Sequence, residues 1–356
     1  MSDFDVVLRN IIIGQAKEGD YYNRIFVVSA YSNVTNWLLE HKKTGKPGVY
    51  DLFRNREDYD AALDGILQRL LEINHTMEGT GLDLEAADRF IRERIGQCRN
   101  YLVSLDEVMA SGYVDKSNIL LAAREILASV GEAHSAFNSV NILKQHRINA
   151  LFVDLCGFND TAYLTIDERI ERAFSGLDYS STIPVVTGYT KGTEGIMREF
   201  DRGYSEVTFS KIAVKVKATE AVIHKEYHLS SADPAIVGVE NSRPVGSTNY
   251  NVADQLADIG MEAIHPKASK PLEIAGIPIR IKNTFEPDHP GTLITREYSG
   301  EESRVEIISG TDRVVAMEVH DPLMVGQVGF DLDMMKVVER YGISYILKAT
   351  NANSIT

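Results

Sequence analysis

The feature that most restricts this chain is its alternation of short β-branched runs with long amphipathic stretches. "RIFVVSA" (24–30), "NALFVDL" (149–155), "IPVVTGY" (183–189), "EAVIHKEY" (220–227) and "IPIRIKN" (277–283) read as strands. Each is too short for a helix and apolar enough for burial on both faces. Between 56 and 145, three stretches carry apolar residues at helical spacing: "YDAALDGILQRLLEIN", "AADRFIRERIGQCRNYLVSL" and "SNILLAAREILASVGEAHSAFNSVNILKQ". The start of the chain predicts a helix with an apolar stripe at Phe4, Val7, Leu8, Ile11 and Ile12. Residues 249–276 predict helix in two pieces, broken near Gly260 and Pro266. Parallel strands need long crossovers, and helices supply them. The alternation therefore predicts an α/β layered fold with a mainly parallel sheet. Ligands in such sheets sit at the carboxyl ends of the strands. Those ends are 29–36, 187–189, 225–231 and 282–285, each rich in Ser, Thr, Gly, Asn or Lys.

Charge narrows the function. A net charge of −14 excludes a non-specific binder of nucleic acid or anionic membrane, because both need a basic surface. It leaves room for a small anion held by a few cations and backbone amides. Two cysteines, Cys98 and Cys156, make no disulfide framework and no zinc pairing. The expectation is a cytoplasmic protein with both thiols buried and reduced. "MSDFDVVLRN" lacks the order of a signal peptide, and no apolar run reaches membrane-spanning length.

Several residues are candidates for chemistry. "EFDRGYSEVTFSKIAV" (199–214) places Arg202, Gly203 and Ser205 in a turn before a helix. Free amides at a helix start attract anions, and a guanidinium forks onto a carboxylate or phosphate. The same segment also reads as an ordinary N-cap with a solvated charge. Glu132 stands among Ser129, Gly131 and Ser135 on an otherwise apolar helix. It suits a ligand ammonium or the orientation of a lysine, and equally a helix-face charge packed on a neighbour. His224 and His228 are four apart, but on a strand that separates them by about 13 Å and excludes a shared metal. Asp233–Pro234 reads as a turn start, and His265–Pro266 as a helix break with a structural histidine. Lys225, Lys267 and Lys282 are candidate phosphate contacts or plain surface lysines.

The order of these segments is more specific than any one of them. "VVSAYSNVTN", "GEAHSAF", "PVVTGY", "DRGYSEVTFSKIA", "HKEYHLSSADP", "GMEAIHP" and "NTFEPDHPGTLI" follow one another as in the aspartate kinases of the amino-acid kinase superfamily, which the chain resembles over essentially its whole length. "LLEHKKTGKPGVY", "LASVGEAHSAFNS", "RGYSEVTF" and "GMEAIHPKASK" look like the branch associated with ectoine biosynthesis. The resemblance implies a three-layer α/β/α sandwich of the carbamate kinase-like type over 1–300, and a partial ACT-like α+β module over 301–356. It implies phosphoryl transfer from ATP, with Mg2+, to the side-chain carboxylate of L-aspartate, giving 4-phospho-L-aspartate. Carried over by motif, Ser29, Thr35, Glu132, Tyr189, Arg202 and Ser205 look like the aspartate-side group, with Arg202 on a substrate carboxylate. Lys225, Glu226, Ser231 and Asp233 look like the nucleotide loop, with Lys282 and Asn283 near the adenosine side. A homodimer or higher homo-oligomer is the corresponding expectation, and no metal is expected on protein side chains. A carboxylate is already a nucleophile, so the reaction asks for placed cations and amides more than for a base.

The chain also departs from that pattern. The family begins with a strand and a K-x-G-G-[ST] turn, and this sequence starts just after the place where they would stand. Tyr204 and Glu206 replace the commoner Gly and Asp, and Glu262 stands where many relatives have lysine. The expectations are a chain truncated at both ends, a strand absent from the sheet, and severely impaired catalysis. The alternatives are a kinase of the same fold acting on another amino acid, and a non-catalytic subunit that binds aspartate.

Overall fold

Phe4, Leu8 and Ile12 recur on one face, and that face turns inward in the first helical segment, α1 (Phe4–Val7), which continues as π-helix over Leu8–Ile13. The computed structural model describes residues 4–356 apart from 14–20, 42–43, 201–202, 259–263, 311–313 and 344. Strand β1 (Phe26–Val28) leads through a left-handed Asn33 into α2 (Val34–Leu38). α3 (Val49–Asn55) precedes the long helical region, which resolves into α4 (Tyr59–Thr76), α5 (Leu84–Ser111) and α6 (Lys116–Gln145). Asp58, Asp83 and Asp115 cap the last three with side-chain oxygens on backbone amides. Helix α6 is buried almost continuously from Leu127 to Leu143, so it is a central element and not a surface one.

β2 (Ala150–Val153) follows, then α7 (Ile166–Phe174), started by a capping box between Thr165 and Glu168. β3 (Ile183–Thr187) is buried at every position. A short α8 (Ile196–Glu199) precedes α9 (Tyr204–Lys215) and β4 (Ala221–Lys225). The chain continues through α10 (Pro234–Val237), β5 (Ser247–Asn249), α11 (Tyr250–Asp258), α12 (Pro266–Ala275), β6 (Ile279–Asn283) and β7 (Thr292–Thr295).

Strands β1 to β7 form two sheets. One has the order β1-β3-β2, all parallel, with α6 packed along it. The other has the order β4-β6-β7-β5. In it β4/β6 and β5/β7 are parallel, and β6/β7 is antiparallel. The loop between β6 and β7 holds no helix, and antiparallel pairing is what so short a connection permits. Parallel pairing dominates, as the alternation predicts. β1 and β4 are each the outermost strand of their sheet, and both line a cleft of about 1240 Å3. Phe26, Val27 and Val28 border it on one side, and Ala221, Val222 and Ile223 on the other.

The C-terminal residues hold β8 (Val319–His320), α13 (Phe330–Arg340) and β9 (Ser354–Ile355), with β8 and β9 antiparallel. The helix falls where its periodicity predicts. "RVEIISGTDRVVAMEVHDP" (304–322) reads as two strands and "ISYILKATNANSIT" (343–356) as one, but among the described residues only Val319–His320 and Ser354–Ile355 are regular there. Val305, Val315 and Leu347 are exposed, and α13 buries none of its residues. A strand face without a layer to pack on has little to hold it in register.

Candidate active site

Glycines bring the pieces of the site together. Gly131 in α6 lies against the β1–α2 turn, where a Cβ would stand 2.8 Å from both Ala30 Cβ and Val34 Cγ1. Gly188, at the end of β3, lies against the first turn of α9, where a Cβ would stand 2.7 Å from Ser205 Cβ and 2.9 Å from the Val28 carbonyl oxygen. Gly203, at φ +85°, is the N-cap of α9, a conformation that costs glycine least. His265 packs beside it and caps α12 through Nδ1, which accepts from the Lys267 amide at 3.2 Å. The structural reading of His265 therefore holds.

These approaches place Ser205 against Glu132. The Ser205 hydroxyl donates to Glu132 Oε1 at 2.5 Å. Glu132 is 2% exposed, and its Oε2 finds no hydrogen-bond partner among the described residues. Burial pushes this carboxyl up to about 8, while Ser205 and the Tyr189 backbone amide draw it down. One turn on, the Ser135 hydroxyl donates to the Ser29 carbonyl at 2.8 Å. Ser29 and Ser205 both line the cleft. Thr35 is half-buried on α2, and its carbonyl accepts from Leu39. Arg202 and Glu262 lie outside the described residues.

Tyr189 is buried, and its ring meets that of Tyr204 edge-on at 6.0 Å between centroids. Its hydroxyl donates to Glu125 Oε2 at 2.6 Å, and Glu125 Oε1 accepts from the Met197 amide at 2.7 Å. Burial raises the Glu125 carboxyl, against the pull of these donors and of Arg198. Glu125 escapes a sequence reading because "AAREIL" looks like a solvated helix face. The one available signal is its position seven residues before Glu132, two turns along the same side of α6.

The second group clusters at the carboxyl ends of β4 and β6. Lys225, Glu226 and Lys282 line the cleft, together with Arg24, Glu206 and Arg280. Glu206, in the first turn of α9, accepts from the His265 amide at 2.7 Å and stands 3.8 Å from the Lys225 ammonium. It thereby ties the acid side of the cleft to the basic side, a role its position in the sequence does not reveal. Lys282 Nζ donates to the Pro287 carbonyl at 2.8 Å. Asn283 turns into its own loop: its Oδ1 accepts from the Phe285 amide and its Nδ2 donates to Glu286. The Ser231 hydroxyl accepts from the Arg243 amide at 3.1 Å, and Asp233 is exposed at the start of α10. Thr35, Glu132, Tyr189, Ser231, Asp233 and Asn283 are not on the cleft lining, and Glu132 reaches it only through Ser205. His228 stands apart from His224, beside Glu286 and the His289 ring. Among the described residues no cluster of three His, Cys, Asp or Glu side chains suits a metal ion, and no helix is long and apolar enough to cross a membrane.

The candidate residues gather in two arrangements of opposite character. One is a buried acid with a hydroxyl and an open oxygen. The other is a pair of strand ends carrying lysines, suited to a polyanion. The amino acid kinase family profile matches residues 10–283. Over its whole length the chain is 49% identical to the aspartate kinase Ask_Ect of Stutzerimonas stutzeri, of which it spans 75%.

The chain belongs to the amino acid kinase family, and within it to the aspartate kinases.

Aspartokinase 1 of Arabidopsis thaliana chloroplasts is 26% identical over 72% of the chain, which spans 47% of that longer protein. Two solved aspartate kinases share the fold. That of Clostridium acetobutylicum superposes with a TM-score of 0.63 at 21% identity, over 99% of this chain and 73% of that one. E. coli aspartokinase III, solved with aspartate and ADP, gives 0.62 at 18% identity, over 93% of this chain and 71% of that one.

Proposed function

We propose that this aspartate kinase transfers the γ-phosphoryl group of ATP to the side-chain carboxylate of L-aspartate. A carboxylate oxygen forms a bond to the γ-phosphorus, the bond from that phosphorus to the β–γ bridging oxygen breaks, and ADP and 4-phospho-L-aspartate leave. The observation that carries the reading is the buried Glu132, hydrogen-bonded to Ser205 and with one oxygen open among the described residues. An unpaired buried acceptor costs about 1–3 kcal/mol, and a substrate ammonium would meet that need. Ser29, Thr35, Tyr189 and Ser205 surround the same end, and Arg202 takes a substrate carboxylate. Lys225 and Lys282, with Glu226, Ser231, Asp233 and Asn283 nearby, serve the nucleotide. Mg2+ enters with ATP on its phosphate oxygens, where it supplies neutralising charge.

The identity to Ask_Ect supports placing the chain in the ectoine-associated branch. Residues 301–356 form a partial ACT-like module, and the chain is a homodimer or higher homo-oligomer. Exposed Val315, Val328 and Leu347 support that assembly.

The test is ADP release with Mg-ATP and L-aspartate, alongside calorimetry of each ligand. Aspartate-dependent release is expected, and Arg202→Ala should weaken aspartate at least tenfold more than ATP. Equal loss of both ligands would put the acid site elsewhere. Aspartate binding with no ADP release would mark a binding subunit in place of a kinase.

A further inference from the structure

A single carboxylate on α6 holds both ends of the segment that leads into the site. Glu125 takes the Tyr189 hydroxyl on one oxygen at 2.6 Å and the Met197 amide on the other at 2.7 Å. The backbone closes tightly around it. Gly195, at φ +73°, would carry a Cβ 3.0 Å from Glu125 Oε1, so a larger residue there is strained in its backbone and presses on that oxygen. Tyr189 is the residue after Gly188, which packs on Ser205, and its ring lies edge-on to Tyr204, the neighbour of Ser205. Met197 is the second residue of the short α8, which precedes Gly203, the N-cap of α9. Helix α6 carries Glu132 two turns further on, so one rigid helix presents both carboxylates. The arrangement is neither an exposed ion pair nor a packed apolar contact, and a surface glutamate needs none of it.

We propose that Glu125 is a positioning residue for the acid substrate: by holding Tyr189 and Met197 on its two oxygens, it fixes the 189–205 segment so that Ser205 meets Glu132. Glu125 touches no substrate atom and acts through Tyr189 and the α8 turn. The inference rests on the reading of Glu132 and Ser205 as the aspartate end. It goes beyond that reading by naming what holds the pair in place.

The experiment compares the unaltered chain with Glu125→Ala, Glu125→Gln and Tyr189→Phe. Calorimetry measures L-aspartate and Mg-ATP separately, and hydrogen–deuterium exchange follows the backbone of 189–205. Glu125→Ala should weaken aspartate about tenfold or more, as the loss of hydrogen bonds to a charged group predicts, and should leave ATP within about twofold. It should also speed exchange across 189–205. Glu125→Gln should recover most of both effects. Its amide oxygen still accepts from Met197, and its amide nitrogen can donate to a reoriented Tyr189 hydroxyl. Tyr189→Phe should add little to Glu125→Ala, because the two changes remove one shared contact.

Unchanged exchange in a folded Glu125→Ala variant overturns the positioning role whatever the substrate is. Equal weakening of aspartate and ATP also overturns it, in favour of a general structural part. Should the unaltered chain bind no aspartate while the exchange behaves as expected, the substrate reading fails and Glu125 remains the anchor of the segment for another ligand.

Discussion

Glu132 shows how far one residue can be read before its surroundings are known. A glutamate among small residues on an apolar helix is visible in the sequence. That it is buried with an open oxygen is not, because Gly131, Gly188 and Ser205 bring the enclosing surfaces from three distant segments. Its pH behaviour follows from that enclosure. The unfolded chain ionises this carboxyl near 4.5, and the folded chain holds the proton to about 8. The stabilisation is fully present below pH 4.5 and falls as pH rises to 8, at about 1.4 kcal/mol per pH unit inside that window. Buried His134, held near 3, pulls the other way below its ordinary 6.5, so the comparison must be with a variant that keeps it. Glu132→Gln should gain stability relative to the unaltered chain as pH goes from 5 to 8, read from urea midpoints. Parallel curves would mean that Glu132 ionises at its ordinary pH. Beyond its spacing from Glu132, Glu125 gave no signal, because its partners Tyr189 and Met197 lie more than sixty residues away.

At the scale of elements, periodicity carries most of what can be read. α4, α5 and α6 fall within the predicted helical region, and β2, β3, β4 and β6 fall inside the predicted strands, each a few residues shorter. Strand ends are decided by pairing, which sequence does not display. β5 was missed because "STN" has no apolar run; its parallel pairing with β7 makes it a strand. Glycines inside helices separate local from tertiary effects. Gly65 in α4 has open space around its absent Cβ, whereas Gly131 in α6 faces Ala30 and Val34. Gly65→Ala should stabilise by about 0.5–1 kcal/mol through helix propensity alone. Gly131→Ala has the same local gain and should destabilise by about 1–3 kcal/mol from overpacking. Chemical denaturation of both variants checks the opposite signs; stabilisation by Gly131→Ala would show that α6 does not pack so closely on the β1–α2 turn.

At the scale of the molecule, β1 and β4 each end a sheet, and both line the cleft. The exposed apolar residues of the C-terminal part are the other large-scale feature. Sedimentation velocity at micromolar concentration should give a dimer or larger species. Val315→Lys together with Leu347→Lys should shift it toward monomer with little change in melting temperature, since both side chains are exposed. A monomeric unaltered chain would remove the assembly proposal.

Hydrophobic periodicity, β-branched runs and the order of the glycine- and serine-bearing segments were enough to determine the α/β class, most of the helices and strands that build it, and the family. These are properties of neighbours along the chain, and each is written locally. Only tertiary structure decided that Ser205 meets Glu132, that Glu125 spans Tyr189 and Met197, and that the strands divide into two sheets around a cleft. Those outcomes depend on which distant surfaces approach within a few ångströms, and close packing settles that only when the whole core is assembled.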